Sequence, residues 1–424
     1  MKTYYLQTFG CKLNQSDSAA IRAALKSRGL REAREPSGAD LIVVNTCTVT
    51  SRADRSARGA IRRLKRAAPG SRLYVTGCFA DRAAGLLAEM PEVDEVFGLA
   101  QRQELYHAVS GENDADECLP IPFEPETDFG DKTRAFLKVQ EGCDQECSYC
   151  VVRLIRGSSR SLRSDEVLRR LRALARDGFK EVVLTGIHLG HWGRDTGEGG
   201  LAHLLRRYEE AEGVPDIRLC SLEPFEEIYQ VLELMAGSRR IAQHLHLAVQ
   251  SGSARVLEAM RRSPDPQAIR ATVEKARKLM PICAIGADII VGFPGESDDD
   301  FQATMDLLTG APFTYAHVFA FSPRPGTEAA TMPDMVHSKI IKRRSAVLRA
   351  AMAVKNLEFR RSLVGSKIKA LAISRRDRKG RLAVLTSNYI HVAIEGTPQP
   401  RPNEPCEIEI TAAERQETVG RIIA

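Results

Sequence analysis

The sequence lacks the features of a membrane-spanning or secreted protein. No apolar run in its 424 residues approaches the ~18 residues that a membrane-spanning helix needs. The N-terminus, "MKTYYLQTFGCKLN", has the pattern of a strand and not the basic-then-apolar pattern of a signal peptide. We therefore expect a cytoplasmic protein without a membrane partner, whose thiols are kept reduced.

Positive charge is missing from one segment. Residues 111–131 contain eight acidic residues and no Lys or Arg, although the whole chain has a formal net charge of +6. The rest of the chain is therefore more basic than the total indicates, which favours a polyanionic partner. We interpret residues 106–131 as an acidic linker.

The strand and helix patterns predict an α/β protein with three domains. Residues 1–105 alternate short apolar strands with helical stretches, which is typical of a small parallel α/β sheet. Residues 132–360 repeat a strand and then a helix six times, which predicts a partial (β/α)6 barrel with its active site at the carboxyl ends of the strands. Residues 361–424 contain five short strands and predict a small, OB-like β-barrel.

Three cysteines lie close together in "EGCDQECSYC", directly after the first predicted barrel strand: Cys143, Cys147 and Cys150. In a reducing compartment such a group indicates metal ligands more than disulfides. A structural zinc site needs four closed ligands, and a [4Fe–4S] cluster usually takes four thiolates. Three thiolates leave one iron open to a substrate or cofactor. We favour the cluster, with structural zinc as the alternative.

The CxxxCxxC spacing, with Tyr149 before the last cysteine, resembles the radical S-adenosylmethionine (SAM) enzymes. The resemblance implies that SAM binds the open iron and is cleaved to a 5′-deoxyadenosyl radical. The stretches "TGIHLG", "SLEP", "QSGS" and "DIIVGFPGE" each end a predicted barrel strand. With Tyr149, they supply the candidate cofactor-binding residues Gly186, Glu223, Gln250, Ser251, Asp288 and Gly292.

A second set of cysteines follows the three strands of the first domain: Cys11, Cys47 and Cys78. The stretches "FGCKLNQSDS", "NTCTVTSRAD" and "VTGCFA" resemble the signature stretches of the methylthiotransferases within the radical SAM enzymes. The resemblance implies a second [4Fe–4S] cluster, SAM both as methyl donor and as radical source, and a C-terminal RNA-binding TRAM barrel. It also implies a low-potential electron donor, such as a flavodoxin or ferredoxin, and a source of sulfur. The other cysteines, Cys118, Cys220, Cys283 and Cys406, are interpreted as structural.

The substrate implied by the resemblance is tRNA. "GCKLN", "NTCTVT" and "RGSSRS" are most similar to the class that modifies N6-threonylcarbamoyladenosine at position 37, in the anticodon loop. Arg153–Leu154 and Ala248–Val249 replace a Pro–aromatic and a Pro–Leu step that are common in the family. The alternatives are the same chemistry on N6-isopentenyladenosine or on a ribosomal-protein aspartate, and, more distantly, a non-enzymatic RNA-binding protein with zinc.

Basic runs indicate where RNA binds. Residues 51–66 carry a stripe of arginines at helical spacing: Arg52, Arg55, Arg58, Arg62 and Arg66. Further runs lie beside the cysteine cluster and in the first loop of the C-terminal barrel. From these two runs we predict RNA contacts by Arg156, Arg160, Arg375, Arg376, Lys379 and Arg381.

Overall fold

The computed structural model describes residues 1–110, 128–130, 132–224, 227–263, 265–377, 379–397 and 399–423. Most of the predicted acidic linker, including Cys118, lies outside these residues. Its first part, residues 106–110, belongs instead to a helix whose Tyr106 and Val109 are buried in the core of the N-terminal domain. No helix in the described part of the chain is long and apolar enough to cross a membrane.

The N-terminal domain is a five-stranded parallel sheet in the order β2-β1-β3-β4-β5. Its central strand is buried along its whole length because its "LIVVNT" residues are covered by helices on both faces. The strands are β1 (Thr3–Thr8), β2 (Arg31–Glu32), β3 (Leu41–Thr46), β4 (Arg72–Gly77) and β5 (Glu95–Val96). The helices are α1 (Lys12–Ser27), α2 (Ser51–Ala67), α3 (Cys78–Arg82), α4 (Ala84–Ala88) and α5 (Arg102–Ser110).

The middle of the chain forms a partial parallel barrel. Two three-stranded sheets, β6-β9-β10 and β11-β12-β13, are joined by isolated bridges at Ile217–Ile241 and Leu222–Leu247. The six barrel strands are β6 (Ala135–Lys138), β9 (Glu181–Thr185), β10 (Asp216–Leu219), β11 (His244–Gln250), β12 (Ala284–Val291) and β13 (Tyr315–Ala320). Strands β7 (Gln140–Glu141) and β8 (Arg160–Ser161) form a separate antiparallel pair. The helices are α6 (Val152–Arg156), α7 (Ser164–Arg176), α8 (Gly200–Glu210), α9 (Ile228–Gly237), α10 (Ala254–Ala259), α11 (Pro266–Leu279), α12 (Asp298–Gly310) and α13 (Ser338–Ser362).

The C-terminal part is a closed five-stranded barrel in the order β14-β15-β16-β18-β17. Its strands are β14 (Lys367–Arg376), β15 (Leu382–Thr386), β16 (His391–Ile394), β17 (Pro405–Ala413) and β18 (Thr418–Ile422). Closure leaves no free sheet edge, which is how a small all-β unit avoids edge pairing. The predicted fold class, α/β with a partial barrel and a small C-terminal β-barrel, is confirmed.

The turn between β15 and β16 lies against the amino-terminal end of the large barrel. Arg218 of β10 has no exposed surface; its guanidinium donates to the carbonyl oxygen of Ser387 at 2.9 Å and pairs with Glu181 at 2.9 Å. It also lies 5.3 Å from the centre of the Tyr389 ring. These contacts close the end of the barrel opposite to the carboxyl ends of its strands.

Candidate active site

The loop that carries Cys143, Cys147 and Cys150 follows β6 and β7 and is held by backbone contacts. Gly142 has φ +72°, and a Cβ there would lie 2.0 Å from the carbonyl oxygen of Ser158. The position therefore requires glycine. The buried amide of Gln140 donates to the carbonyl of Gly142 and accepts from the backbone N–H of His188, both at 2.8 Å. The start of the cysteine loop is thus fixed between two strand ends.

The side chains around these three thiols form a charged group. Arg262 Nη1 lies 3.9 Å from Cys147 Sγ and 2.6 Å from Glu223 Oε1, and His188 Nε2 lies 3.0 Å from Glu223 Oε2. Burial alone would raise the pKa of Glu223, but His188 and Arg262 lower it to about 2. Glu223 was predicted from the sequence, whereas Arg262 was missed, because it lies in the turn after α10 and has no motif of its own. His188 lies within the quoted "TGIHLG" and could have been found there.

The second set of cysteines converges at the strand ends of the N-terminal sheet. Cys11 is the N-cap of α1, Cys47 follows β3, and Cys78 is the first residue of α3. Gly10 has φ +104°, and a Cβ there would lie 2.6 Å from Cys47 Cβ. The first two cysteines are therefore packed together, and only glycine fits between them.

Asn14 ties the second set together. Its side-chain amide donates to the carbonyl oxygens of Phe9 and Thr46, each at 2.8 Å, which links the segments that carry Cys11 and Cys47. Its Oδ1 lies 3.8 Å from Cys78 Sγ. The sequence analysis missed Asn14, although it lies within the signature stretch "FGCKLNQSDS".

Thiols in both sets are buried enough to favour their protonated form. Burial raises the pKa of Cys78 and of Cys143 to about 12, and that of Cys150 to about 11. A metal must therefore displace these protons when it binds.

Arg156 connects the two cysteine sets. It lies six residues after Cys150, and its Nη2 donates to Cys78 Sγ at 3.2 Å. It also pairs with Asp17 at 3.0 Å and with Glu141 at 2.7 Å, and it is 5% exposed. The expectation that Arg156 contacts RNA is therefore wrong, because no phosphate can reach a guanidinium enclosed between two domains. The "RGSSRS" stretch instead joins the barrel to the N-terminal domain.

The predicted cofactor-binding residues lie near the carboxyl ends of the barrel strands, with one exception. Gly186 follows β9 and packs against Gln140, and Gln250, Ser251 and Gly292 end β11 and β12. The Ser251 hydroxyl accepts from the N–H of Ser253 at 3.1 Å. Asp288 is the exception, since it lies within β12.

Two of the predicted cofactor residues are already engaged by the protein. Asp288 Oδ1 lies 3.0 Å from His246 Nε2 and 3.2 Å from His317 Nδ1. Tyr149 packs in a small apolar cluster that includes Met260 and Phe293. Cofactor contacts by these residues and by those at the strand ends stay predictions.

The remaining basic residues predicted to contact RNA differ in whether their side chains form ion pairs with carboxylates. Arg381 is paired with Asp377 at 2.7 Å, with Glu395 at 2.9 Å and with Glu417, and Lys379 lies 3.4 Å from Glu417. Arg376 donates to the carbonyl of Gly380 at 2.8 Å. The exposed side chains of Arg160 and Arg375 have no carboxylate partner within the described residues.

Comparison with known proteins agrees with this architecture. Residues 3–98 match the family model described as Uncharacterized protein family UPF0004, and residues 137–308 match the Radical SAM superfamily. A solved structure, the radical S-adenosylmethionine methyltransferase TsrM from Kitasatospora setae, aligns with a TM-score of 0.56 at 15% identity, covering 78% of this chain and 75% of that one. At this identity the likeness shows the fold alone.

Sequence relatives extend over all three parts of the chain. The chain is 36% identical to the Threonylcarbamoyladenosine tRNA methylthiotransferase MtaB of Aquifex aeolicus, covering 92% of this chain and 96% of that protein. It is 33% identical to the protein of the same name from Bacillus subtilis, covering 94% and 91%. It is also 34% identical to the tRNA-2-methylthio-N(6)-dimethylallyladenosine synthase of Carboxydothermus hydrogenoformans, covering 81% of each.

A partial barrel whose first strand leads into a CxxxCxxC loop, matched by the superfamily model, defines a radical SAM enzyme. A [4Fe–4S] cluster and SAM are the cofactors of that class. The relatives carry the assignment further: the chain belongs to the family of radical SAM methylthiotransferases of the MtaB type. Its activity is therefore the transfer of a sulfur-containing group.

Proposed function

We propose that this protein places a methylthio group on C2 of N6-threonylcarbamoyladenosine at position 37 of tRNA, using two [4Fe–4S] clusters and SAM in two roles. One observation carries the proposal: Arg156, six residues after Cys150, lies only 3.2 Å from Cys78 Sγ, so the segment that follows the first cysteine set contacts the second set. A radical source and a sulfur carrier must face the same base, and this contact supports such an arrangement.

The cysteines divide into two groups of ligands. Cys143, Cys147 and Cys150 would hold the cluster that binds SAM, and Cys11, Cys47 and Cys78 would hold the second cluster. With SAM bound, the first group supplies a radical that can take hydrogen from an adenine C–H bond, which no side-chain base can deprotonate at neutral pH. Each set leaves one coordination position without a protein thiolate.

The charged group beside the first set would position SAM. Arg262 and Glu223 offer a donor and an acceptor within one ion pair, and His188 holds the carboxylate from its other side. The amino and carboxylate groups of SAM are complementary to such a pair. Because Glu223 stays ionised, the arrangement is ready before the cofactor binds.

Helix α2 supplies the surface that would contact the RNA backbone. It begins four residues after Cys47, and its predicted arginine stripe forms no ion pair within the described residues. Phe9, Arg52, Arg55 and Arg63 line a shallow depression on this surface. Unpaired arginines beside the second cysteine set would hold phosphates while an unstacked base of the anticodon loop enters the site.

The chemistry requires two further partners. Reductive cleavage of SAM needs a low-potential electron donor, such as a flavodoxin or ferredoxin. Each turnover also uses one sulfur atom, so a sulfur source must restore the second cluster.

Mass spectrometry of tRNA nucleosides from cells with and without this protein tests the proposal. Loss of the 2-methylthio form of N6-threonylcarbamoyladenosine, with accumulation of its precursor, is the expected result. Loss of the isopentenyl nucleoside instead would transfer the assignment to the other tRNA class. If neither nucleoside changed, the ribosomal-protein substrate would be tested next. About eight irons per chain would support two clusters, whereas zinc without iron would exclude the enzyme.

A further inference from the structure

Lys12 is a cation without a counter-ion in the middle of the candidate site. It is the first residue of α1 and directly follows Cys11. The side chain is partly buried, and its ammonium forms no hydrogen bond or ion pair within the described residues. A partly buried charge that is left unpaired is unfavourable, so the position is suited to an anionic ligand.

The neighbouring carboxylates do not form ion pairs with Lys12. Asp17, on the same helix, lies 2.6 Å from Lys138 and 3.0 Å from Arg156. Glu141 lies 3.0 Å from Lys138 and 2.7 Å from Arg156. Both carboxylates therefore form ion pairs with other cations, and the Lys12 ammonium remains available to a bound anionic ligand.

The packing of α1 places Lys12 over the open end of the barrel. Asp17 meets Lys138 at the carboxyl end of β6, and Ala19, further along α1, packs in the barrel core. The start of α1 therefore lies beyond the carboxyl ends of the barrel strands. Lys12 and Ala19 are seven residues apart and share a helix face, so Lys12 is on the barrel side.

Lys12 directly follows Cys11 and shares a helix face with Ala19 of the barrel core. Its ammonium is therefore near the second cysteine set and on the side of the barrel that carries the first.

The substrate classes considered above differ in charge at one place. A threonylcarbamoyl group ends in a carboxylate and a hydroxyl, whereas an isopentenyl group is a hydrocarbon. In adenine, C2 and C6 flank N1, so the N6 substituent lies on the same edge of the ring as the carbon that reacts. A base that presents C2 to sulfur held beside Cys11 therefore brings its N6 substituent close to residue 12.

We infer that Lys12 binds the threonyl carboxylate of the substrate and thereby selects threonylcarbamoyladenosine over isopentenyladenosine. The inference rests on the proposed function and assigns its specificity to one side chain. A hydrocarbon substituent would offer no charge to pair with the Lys12 ammonium.

The test compares three anticodon stem-loop RNAs that differ only at position 37. One carries threonylcarbamoyladenosine, one carries the neutral threonyl carboxamide of nearly the same shape, and one carries isopentenyladenosine. Binding is measured by fluorescence anisotropy for the wild type, Lys12→Met, Lys12→Gln and Lys12→Arg. Lys26→Met, at the other end of α1, is the matched control because Lys26 pairs with Asp128 at the surface.

We expect the wild type to bind the carboxylate RNA about tenfold or more tightly than the carboxamide RNA, as for a hydrogen bond between charged groups. Lys12→Met and Lys12→Gln should remove this preference, whereas Lys12→Arg should keep part of it and Lys26→Met all of it. Iron content and 5′-deoxyadenosine formation should be unchanged in Lys26→Met, and iron content is measured in the Lys12 variants to compare RNA binding at equal cluster loading. The interaction is thus read as a double-mutant cycle between one side chain and one substrate charge.

The inference would be overturned if Lys12→Met and Lys12→Gln kept the preference, or if they weakened binding of both RNAs by the same factor. That failure is distinct from failure of the proposed function. The latter would appear in the wild type alone, as methylthiolation of the isopentenyl RNA or of neither RNA.

Discussion

Replacing Arg156 with methionine tests the contact that joins the two cysteine sets. The guanidinium is 5% exposed and pairs with Asp17 at 3.0 Å and with Glu141 at 2.7 Å. Removing one member of a buried ion pair typically costs about 3–5 kcal/mol, because the remaining charge stays buried. Lys138 still contacts both carboxylates, so we expect a loss near the lower limit, about 3 kcal/mol.

The single tryptophan of the chain makes this loss measurable. Trp192 has no exposed surface and belongs to the barrel core, so its fluorescence reports unfolding of the barrel in urea. Circular dichroism reports the whole chain, and comparing the two signals shows whether the domains unfold together. Arg160→Met is the matched control, since Arg160 is exposed and four residues away, and it should change stability by less than about 0.5 kcal/mol.

The second cysteine set should also respond. Burial raises the pKa of Cys78, and the Arg156 charge opposes this effect. Without Arg156 the thiolate becomes harder to form, so Arg156→Met should retain less iron at this set than at Cys143, Cys147 and Cys150. The reasoning would be refuted if Arg156→Met kept its stability and iron but weakened RNA binding in a salt-dependent way. That result would restore the RNA contact that the sequence predicted.

Three further results are expected. Cys147→Ala should lose one cluster and all SAM cleavage, while Cys47→Ala should lose the other cluster, keep some cleavage and lose methylthiolation; iron analysis and 5′-deoxyadenosine assays check this. Arg218→Met should lower the free energy of unfolding by about 3–5 kcal/mol and expose the 363–366 connection to proteolysis, because Arg218 pairs with Glu181 and donates to the β15–β16 turn. Unchanged proteolysis of this connection would contradict the prediction. Burial raises the pKa of Cys283 to about 12 from 9.0, so its contribution to stability is present below pH 9 and is lost as pH rises from about 9 towards 12. At pH 10, one unit above the ordinary pKa, the loss is about 1.4 kcal/mol, and Cys283→Ala should show a shallower fall in melting temperature between pH 8 and 10.5.

The fold was predictable where each element carries its own local pattern. "EVVLTGI" and "AIGADIIVGF" are apolar runs bounded by turn residues, and they are strands β9 and β12 in the structure. The two-residue strands β2 and β5 were missed, because two residues are too short for any periodicity to appear. Their positions depend on pairing with β1 and β4, which is a tertiary property.

The metal-ligand part of the site was predictable because it depends on one residue type, cysteine. Cysteines at strand ends indicated both ligand sets, because parallel strands bring their carboxyl ends to one edge. Charge was harder to interpret. Arg156 and Arg381 were both predicted as RNA contacts from basic runs, yet one is buried and the other is paired with Asp377, Glu395 and Glu417. Asp377 lies only four residues before Arg381, but Asp17 and Glu417 come from distant segments, which no local pattern reveals.

Helix α1 begins at the second cysteine set and contacts the segment that follows the first set. Its N-cap, Cys11, belongs to the second cysteine set, and Asn14 links the segments that carry Cys11 and Cys47. Asp17 pairs with Arg156, the last residue of α6, which follows the first set. Lys12 lies between these positions on the same helix. Because a helix is rigid over two turns, a shift that moved Lys12 relative to the substrate would also move Cys11 and Asp17. With Lys12 in the role inferred above, the geometry of this helix would link the position of the second cysteine set to that of the substrate's N6 group.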